Sequence, residues 1–275
     1  MLLEAKYFYD ISYGKIDVTA GKMISLWHDA REIGMELNTH GEYGEVPNRA
    51  ELEESIKHKG WDKIIIDDEN NTVFITDPYV SLDVGSVAKG YATQKVAEYL
   101  VTENVKNAVI DAGGNLKALS GKYNGKEWIT GIRNPNNPSL SPDDSLLTVQ
   151  YSGDKSAVTS GDYERSFIAK DGKSYSHIID PDTTYPADKY RSVTIITTDA
   201  GVADCLSTAL FCLDYEDGLK VIEQYKKDHD NAFLEVIWVA NKDMNFETDN
   251  VYHTKSFNIA YTEGLKGKIN IVNDK

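Results

Sequence analysis

Between Ala108 and Thr197 the chain carries eight short segments rich in β-branched and aromatic residues: Ala108–Asp111, Leu116–Leu119, Trp128–Ile132, Leu146–Tyr151, Ser156–Thr159, Glu164–Ile168, Ser174–Ile178 and Ser192–Thr197. Strands that follow one another at such short intervals pair mostly antiparallel, because a parallel pair needs a long crossover connection. Two helices follow at Ala200–Leu213 and Tyr215–Lys226, then strands at Ala232–Ala240 and about Val251–Ala260. The expected class is therefore α+β, with helices packed on a strongly twisted, mostly antiparallel sheet or sheets.

Ahead of this block, Leu3, Ala5, Phe8 and Ile11 trace a helical stripe that Gly14 can stop, and a chain opening directly in a helix looks cut. A second helix is expected over Val18–Trp27, a loop over Gly41–Asn48 and a helix from about Arg49 to Lys57. Ile64–Ile66 and Thr72–Ile75 flank an Asp/Asn-rich turn, the pattern of a hairpin. A loop at Leu82–Ser86 then leads into a helix over Val87–Thr102. No Pro/Gly/Ser-rich linker or like-charge run marks a seam, so one continuous domain over 1–275 is expected.

With 41% hydrophobic and 27% charged residues, the chain has material for a sizeable core. Its net charge of −15 argues against nucleic acid and anionic membranes as partners, since both bind through clustered Lys and Arg. A divalent metal and oriented N–H groups can still bring an anionic phosphate ligand to an acidic protein. Cys205 and Cys212 sit seven residues apart on one expected helix. That puts their Cα atoms ~10 Å apart, too far for an unstrained disulfide, and both suit the core. The first residues lack the pattern of a secretion signal, and no apolar run reaches the ~18 residues of a membrane span.

Five segments could carry chemistry, and each has a plainer reading beside it. Asp83-Val-Gly-Ser-Val-Ala-Lys-Gly-Tyr-Ala92 places small residues and Lys89 at a helix start, either to cradle phosphate or to allow tight packing. Asp111-Ala-Gly-Gly-Asn115 removes side chains between two strands, for a ligand or for a sharp bend. Thr159-Ser-Gly-Asp-Tyr-Glu-Arg165 concentrates hydrogen-bonding groups at the end of a strand, as part of a site or as a polar surface turn. In Ser174-Tyr-Ser-His-Ile-Ile-Asp-Pro181, His177 is a natural general base or a satisfied structural group. Asp204 and Thr208 lie four residues apart, hence on one helix face. A carboxylate plus a hydroxyl suits a hard cation that keeps water and phosphate ligands; an Asp cap and a Thr bonded back to its helix remain the alternative.

Taken together and in this order, DVGSVAKGYA, DAGGN, TSGDYER, YSHIIDP and ADCLSTAL resemble the ApbE family of FAD:protein FMN transferases. The similarity also takes in Gly14-Lys-Ile-Asp-Val-Thr-Ala-Gly21 and runs to about Leu213. It implies an ApbE-like, T-fold-related architecture. It implies that Asp204 and Thr208, with the backbone carbonyl of Ser86, hold Mg²⁺. Lys15, Ile16, Asp17, Asp83, Lys89 and Ile178 fall on positions that contact FAD, and His177 on the histidine credited with transfer.

Two departures from the family pattern are visible. Family members usually carry about one more strand-and-helix segment before the opening helix, so this chain looks N-terminally short. Thr183-Thr184-Tyr185-Pro186 stands where Thr-Gly-Tyr-Pro is usual. A β-branched residue resists positive φ, so the turn beside His177 is expected to change shape.

The resemblance implies Mg²⁺-dependent transfer of FMN from FAD to a Ser or Thr hydroxyl of another protein, through a phosphoester and with release of AMP. The implied acceptor carries Asp-x-x-[Ser/Thr]-Gly-Ala-[Ser/Thr], a string absent from this chain, whose nearest approach is Thr159-Ser160-Gly161-Asp162. The competing readings are a Mg²⁺-dependent FAD pyrophosphatase and a flavin-binding protein without turnover. Family members are commonly exported and lipid-anchored in bacteria, but no signal or anchoring cysteine stands near this start, and the compartment stays open.

Overall fold

A computed structural model describes residues 1–139 and 141–273. Its central feature is a seven-stranded sheet formed by β3 (Ala108–Asp111), β4 (Asn115–Leu119), β7 (Ser156–Gly161), β10 (Ser192–Thr197), β11 (Leu234–Asn241), β12 (Val251–His253) and β13 (Phe257–Tyr261). Their spatial order is β12-β13-β11-β10-β7-β4-β3. Every ladder among the described residues is antiparallel, as the short strand spacing predicts.

The two middle strands are buried on both faces, and their side chains divide by the period of two that a strand imposes. Val193, Ile195, Val236, Trp238 and Ala240 join one core with helices α1 (Leu2–Ile11), α5 (Ala200–Cys212) and α6 (Tyr215–Asp228). Ile196, Ile237 and Val239 join another, against a three-stranded sheet of β5 (Trp128–Arg133), β6 (Ser145–Tyr151) and β14 (Ile269–Ile271). Helices, large sheet and small sheet thus form three layers.

Each helix on the first face has the pattern its place demands. The edge helix α6 buries Gly218, Val221, Ile222 and Tyr225, one stripe at i, i+3, i+4 and i+7. By contrast α5 is buried all round, with Asp199 capping its first turn by accepting the N–H groups of Gly201 and Val202. Both cysteines are free and buried within α5, and burial pushes the Cys212 thiol up to about 12.

A smaller core lies apart, where Met23 and Trp27 of α2 (Gly21–Thr39) and Leu52 of α3 (Arg49–Ile56) pack on Phe167, Ala169 and Ile179. Here the structure departs most from the sequence expectations. Helix α2 begins at Gly21 and continues 12 residues beyond Trp27, because its buried face carries on through a polar stretch to Gly34. The strands expected over Glu164–Ile168 and Ser174–Ile178 shrink to the two-residue pair β8 (Phe167–Ile168) and β9 (Ser174–Tyr175). His177 therefore sits in a loop, not at the end of a strand. The single strand expected near Val251–Ala260 is the hairpin β12–β13, its turn held by the Thr254 hydroxyl and backbone on Phe257.

Thr184 does not avoid positive φ: it adopts φ 64°. Its carbonyl accepts the Trp27 Nε1–H at 2.7 Å and its N–H donates to the Asp180 carbonyl at 2.9 Å, so surrounding bonds hold the strained residue in the turn. The hairpin β1 (Ile64–Asp67) and β2 (Thr72–Ile75) and the helix α4 (Ala88–Thr102) are the remaining strands and helix among the described residues.

Candidate active site

A cavity of about 560 Å³ opens where these pieces meet, walled by α2, the loop before α4, the β3–β4 turn, β5, β7, the segment after Tyr175 and the inner side of α5. Backbone bonds stitch distant segments into its rim. Gly21 N donates to Ser81 O and Asp83 N to Val18 O, which sets the Asp83–Lys89 loop beside Lys15–Asp17. The Asp83 carboxylate accepts the Gly85 N–H at 2.8 Å and fixes the loop's bend.

Of the 13 residues of α5, 12 are buried, and the exception is Thr208, which opens into the cavity. Asp204 lies one turn earlier, is 4% exposed and also lines it. Its Oδ2 accepts the Gly90 N–H at 2.8 Å, and Lys89 Nζ stands 3.8 Å from Oδ1. Burial raises the Asp204 pKa, opposed by Lys89, the Gly90 N–H and Asn115. Ser160 of β7 brings its hydroxyl to 2.9 Å from Ser207 and 3.3 Å from Thr208, so the Thr159–Arg165 segment is joined to the α5 pair and is not merely a surface turn.

Ser86 lines the same cavity as Asp204 and Thr208. One carboxylate, one hydroxyl and the backbone carbonyl of a residue lining the same cavity make a donor set that fits Mg²⁺, which completes its shell with water and phosphate oxygens. Among the described residues no three His, Cys, Asp or Glu side chains gather as a ligand group.

His177 also faces the cavity, and its Nδ1 is buried without a hydrogen-bond partner among the described residues. Burial, then the charges of Arg165, Arg31 and Lys89, lower its pKa from 6.5 to about 4. The imidazole is neutral at pH 7 and able to accept a proton.

The remaining expected residues divide by what their side chains do. Lys15 lines the cavity while its ammonium bonds Asp180 at 2.7 Å and Asp182 at 2.8 Å, clamping the loop that carries His177. The Asp17 carboxylate accepts the Thr19 N–H and hydroxyl at 3.0 and 2.5 Å and has Lys59 Nζ at 3.5 Å. Asp83, Lys89 and Ile178 line the cavity, but Ile16 is fully buried in the helix-side core, and its side chain does not reach it. Gly113 and Gly114 line it too, at φ 64° and 86°, with nothing within 4 Å of an added Cβ. The turn conformation demands glycine there, and the space above stays open for a ligand.

His28, Arg31 and Arg133 line the cavity without having stood out in the sequence. Ending the expected helix at Trp27 hid the first two. The signal was present in the spacing, since Arg31 follows Met23 and Trp27 at intervals of four on one helix face. Arg133 has no such cue, because only the pairing of β5 with β6 turns it toward Glu164, to which its Nη1 donates at 2.5 Å.

The sequence profile of the ApbE family matches residues 1–233. The chain belongs to the ApbE family. Among ApbE relatives, an FAD:protein FMN transferase of Klebsiella pneumoniae is 32% identical over 219 residues, covering 79% of this chain and 62% of that one. Another, of Haemophilus influenzae, is 31% identical over 227 residues, covering 82% and 62%. The chain thus spans 62% of the length of these two transferases. The crystal structure of an ApbE protein from Thermotoga maritima superposes with a TM-score of 0.67 at 33% identity, covering 85% of this chain and 70% of that one. The flavin transferase ApbE of Vibrio cholerae superposes with a TM-score of 0.70 at 26% identity, covering 97% and 75%. The helix-and-sheet architecture is that of these ApbE structures.

Proposed function

We propose that this chain transfers FMN from FAD to a Ser or Thr hydroxyl of an acceptor protein, with Mg²⁺ as cofactor. The observation that carries this reading is that a neutral His177 and the Asp204–Thr208 pair open into one cavity. A proton acceptor and a hard-cation site in one cavity suit phosphoryl transfer, which relies on positioning and on neutralising charge. Relatives named FAD:protein FMN transferase supply the identity of the group transferred.

In this reading Asp204, Thr208 and the Ser86 carbonyl hold Mg²⁺, which when bound neutralises charge on the phosphoryl oxygens. Lys15, Asp17, Asp83, Lys89 and Ile178 hold FAD, with Ile16 contributing backbone alone. His177 takes the proton of the acceptor hydroxyl as that oxygen bonds to the FMN phosphorus. The bridging P–O bond breaks, its electron pair leaves with AMP, and FMN remains attached to the acceptor as a phosphoester. The acceptor segment carries Asp-x-x-[Ser/Thr]-Gly-Ala-[Ser/Thr].

Mass spectrometry of such an acceptor, after incubation with this protein, FAD and Mg²⁺, tests the proposal. A gain of one FMN is expected. Conversion of FAD to FMN and AMP without that gain makes the chain a pyrophosphatase, and FAD recovered intact makes it a flavin-binding protein.

A further inference from the structure

Five cations line the cavity of this acidic protein, and they differ in how they are neutralised. Lys15 is paired with Asp180 and Asp182, Arg133 with Glu164, and Lys89 stands near Asp204. Arg31 and Arg165 are the exceptions. Arg165 is exposed and has no ion pair or hydrogen bond among the described residues. The Arg31 side chain is only 12% exposed, and its one bond among the described residues is from Nη2 to its exposed chain neighbour Glu32, at 3.3 Å. Its Nε is buried with no partner among the described residues.

A guanidinium that is permanently charged, mostly withdrawn from water and short of acceptors is a costly arrangement unless an anion completes it. We infer that Arg31 is an anion-binding residue of this site, its guanidinium donating to an oxygen of the phosphoryl group undergoing transfer beside His177. The assignment rests on the transferase reading for the identity of the anion. The geometry behind it is independent of that reading: Arg31 lines the cavity from α2, four residues beyond the buried Trp27. Its charge acts on His177, as do those of Arg165 and Lys89, and Lys89 also stands 3.8 Å from Asp204. In phosphoryl transfer a planar fork of N–H donors matches the equatorial oxygens, and the match improves as charge builds on them.

The test uses Arg31→Gln and Arg31→Lys in the full chain, with unchanged thermal melting as the control for folding. Binding of inorganic pyrophosphate with Mg²⁺, measured by calorimetry, needs no turnover. Arg31→Gln is expected to weaken it by about tenfold or more, with Arg31→Lys in between, as loss of a charge-assisted bond dictates. In the transfer assay Arg31→Gln is expected to lower kcat by roughly 10²-fold, with the KM for the acceptor unchanged. Equal pyrophosphate affinity in wild type and Arg31→Gln, or no binding to either, overturns the assignment. So does a variant whose only defect is a raised KM for the acceptor, which would put the guanidinium on an acceptor carboxylate. If the wild type transfers no FMN yet binds pyrophosphate through Arg31, the transferase reading fails and the anion site stands.

Discussion

Trp27 donates its indole N–H to the Thr184 carbonyl at 2.7 Å, joining residues 157 positions apart and tying α2 to the loop that carries His177. Trp27 is 2% exposed, so its removal leaves a carbonyl with no replacement donor. Trp27→Phe is expected to cost about 1–3 kcal/mol in denaturant unfolding and to lower FMN transfer by loosening the wall behind His177. Undiminished transfer in a destabilised variant would show that the tie serves folding alone.

The same turn holds a strained residue that can be relieved. A β-branched side chain at positive φ costs about 1–2 kcal/mol, while glycine loses about 0.5–1 kcal/mol of chain entropy. Thr184→Gly is therefore expected to stabilise the protein by up to about 1 kcal/mol, read as a higher denaturation midpoint. A drop in the midpoint would mean that packing of the Thr184 side chain outweighs its backbone strain.

His177 titrates low, and the sign of the consequence follows. Its folded pKa is lowered to about 4 from 6.5, first by burial and then by Arg165, Arg31 and Lys89. Between those values the unfolded chain binds the proton and the folded one does not. His177 therefore contributes to stability above pH 6.5, and the contribution fades as pH falls toward 4. In the proposed role of general base it stays neutral over the same interval, so the acid limb of kcat/KM is expected near pH 4 to 5, well below an ordinary histidine. An acid limb at 6.5 would remove the assignment. His177→Gln is expected to cut turnover by about 10²–10⁴ while FAD affinity, measured by fluorescence, holds.

At Gly90, α4 lies close against α5. A Cβ there would lie 2.3 Å from the Ala200 carbonyl oxygen and 2.4 Å from the Asp204 Cβ. Gly90→Ala must push the helices apart and break the Gly90 N–H bond to Asp204. A loss of about 1–3 kcal/mol is expected from such overpacking, together with weaker Mg²⁺ activation. A wild-type melting curve would show that the two helices yield freely.

Asp204→Asn retains an oxygen for the Gly90 N–H and removes the charge. The Mg²⁺ concentration needed for half-maximal transfer is expected to rise while the fold persists. An unchanged metal titration excludes Asp204 as a ligand.

What residue order alone determined was local and periodic. Runs of β-branched and aromatic residues marked the strands of the large sheet other than the β12–β13 hairpin, the Asp204/Thr208 spacing put two oxygens on one helix face, and five motifs in sequence pointed to the ApbE family. Short-range pattern can do this because backbone geometry repeats every two or 3.6 residues. Tertiary structure decided what that geometry does not encode. It left Thr208 as the one open residue of a buried helix, sent Ile16 into the core, and held Thr184 at positive φ through Trp27. It also carried Arg31 into the cavity on a helix whose polar stretch breaks the apolar stripe. Each depends on a partner far away in the chain, and burial by distant partners overrides the preference a residue shows among its neighbours.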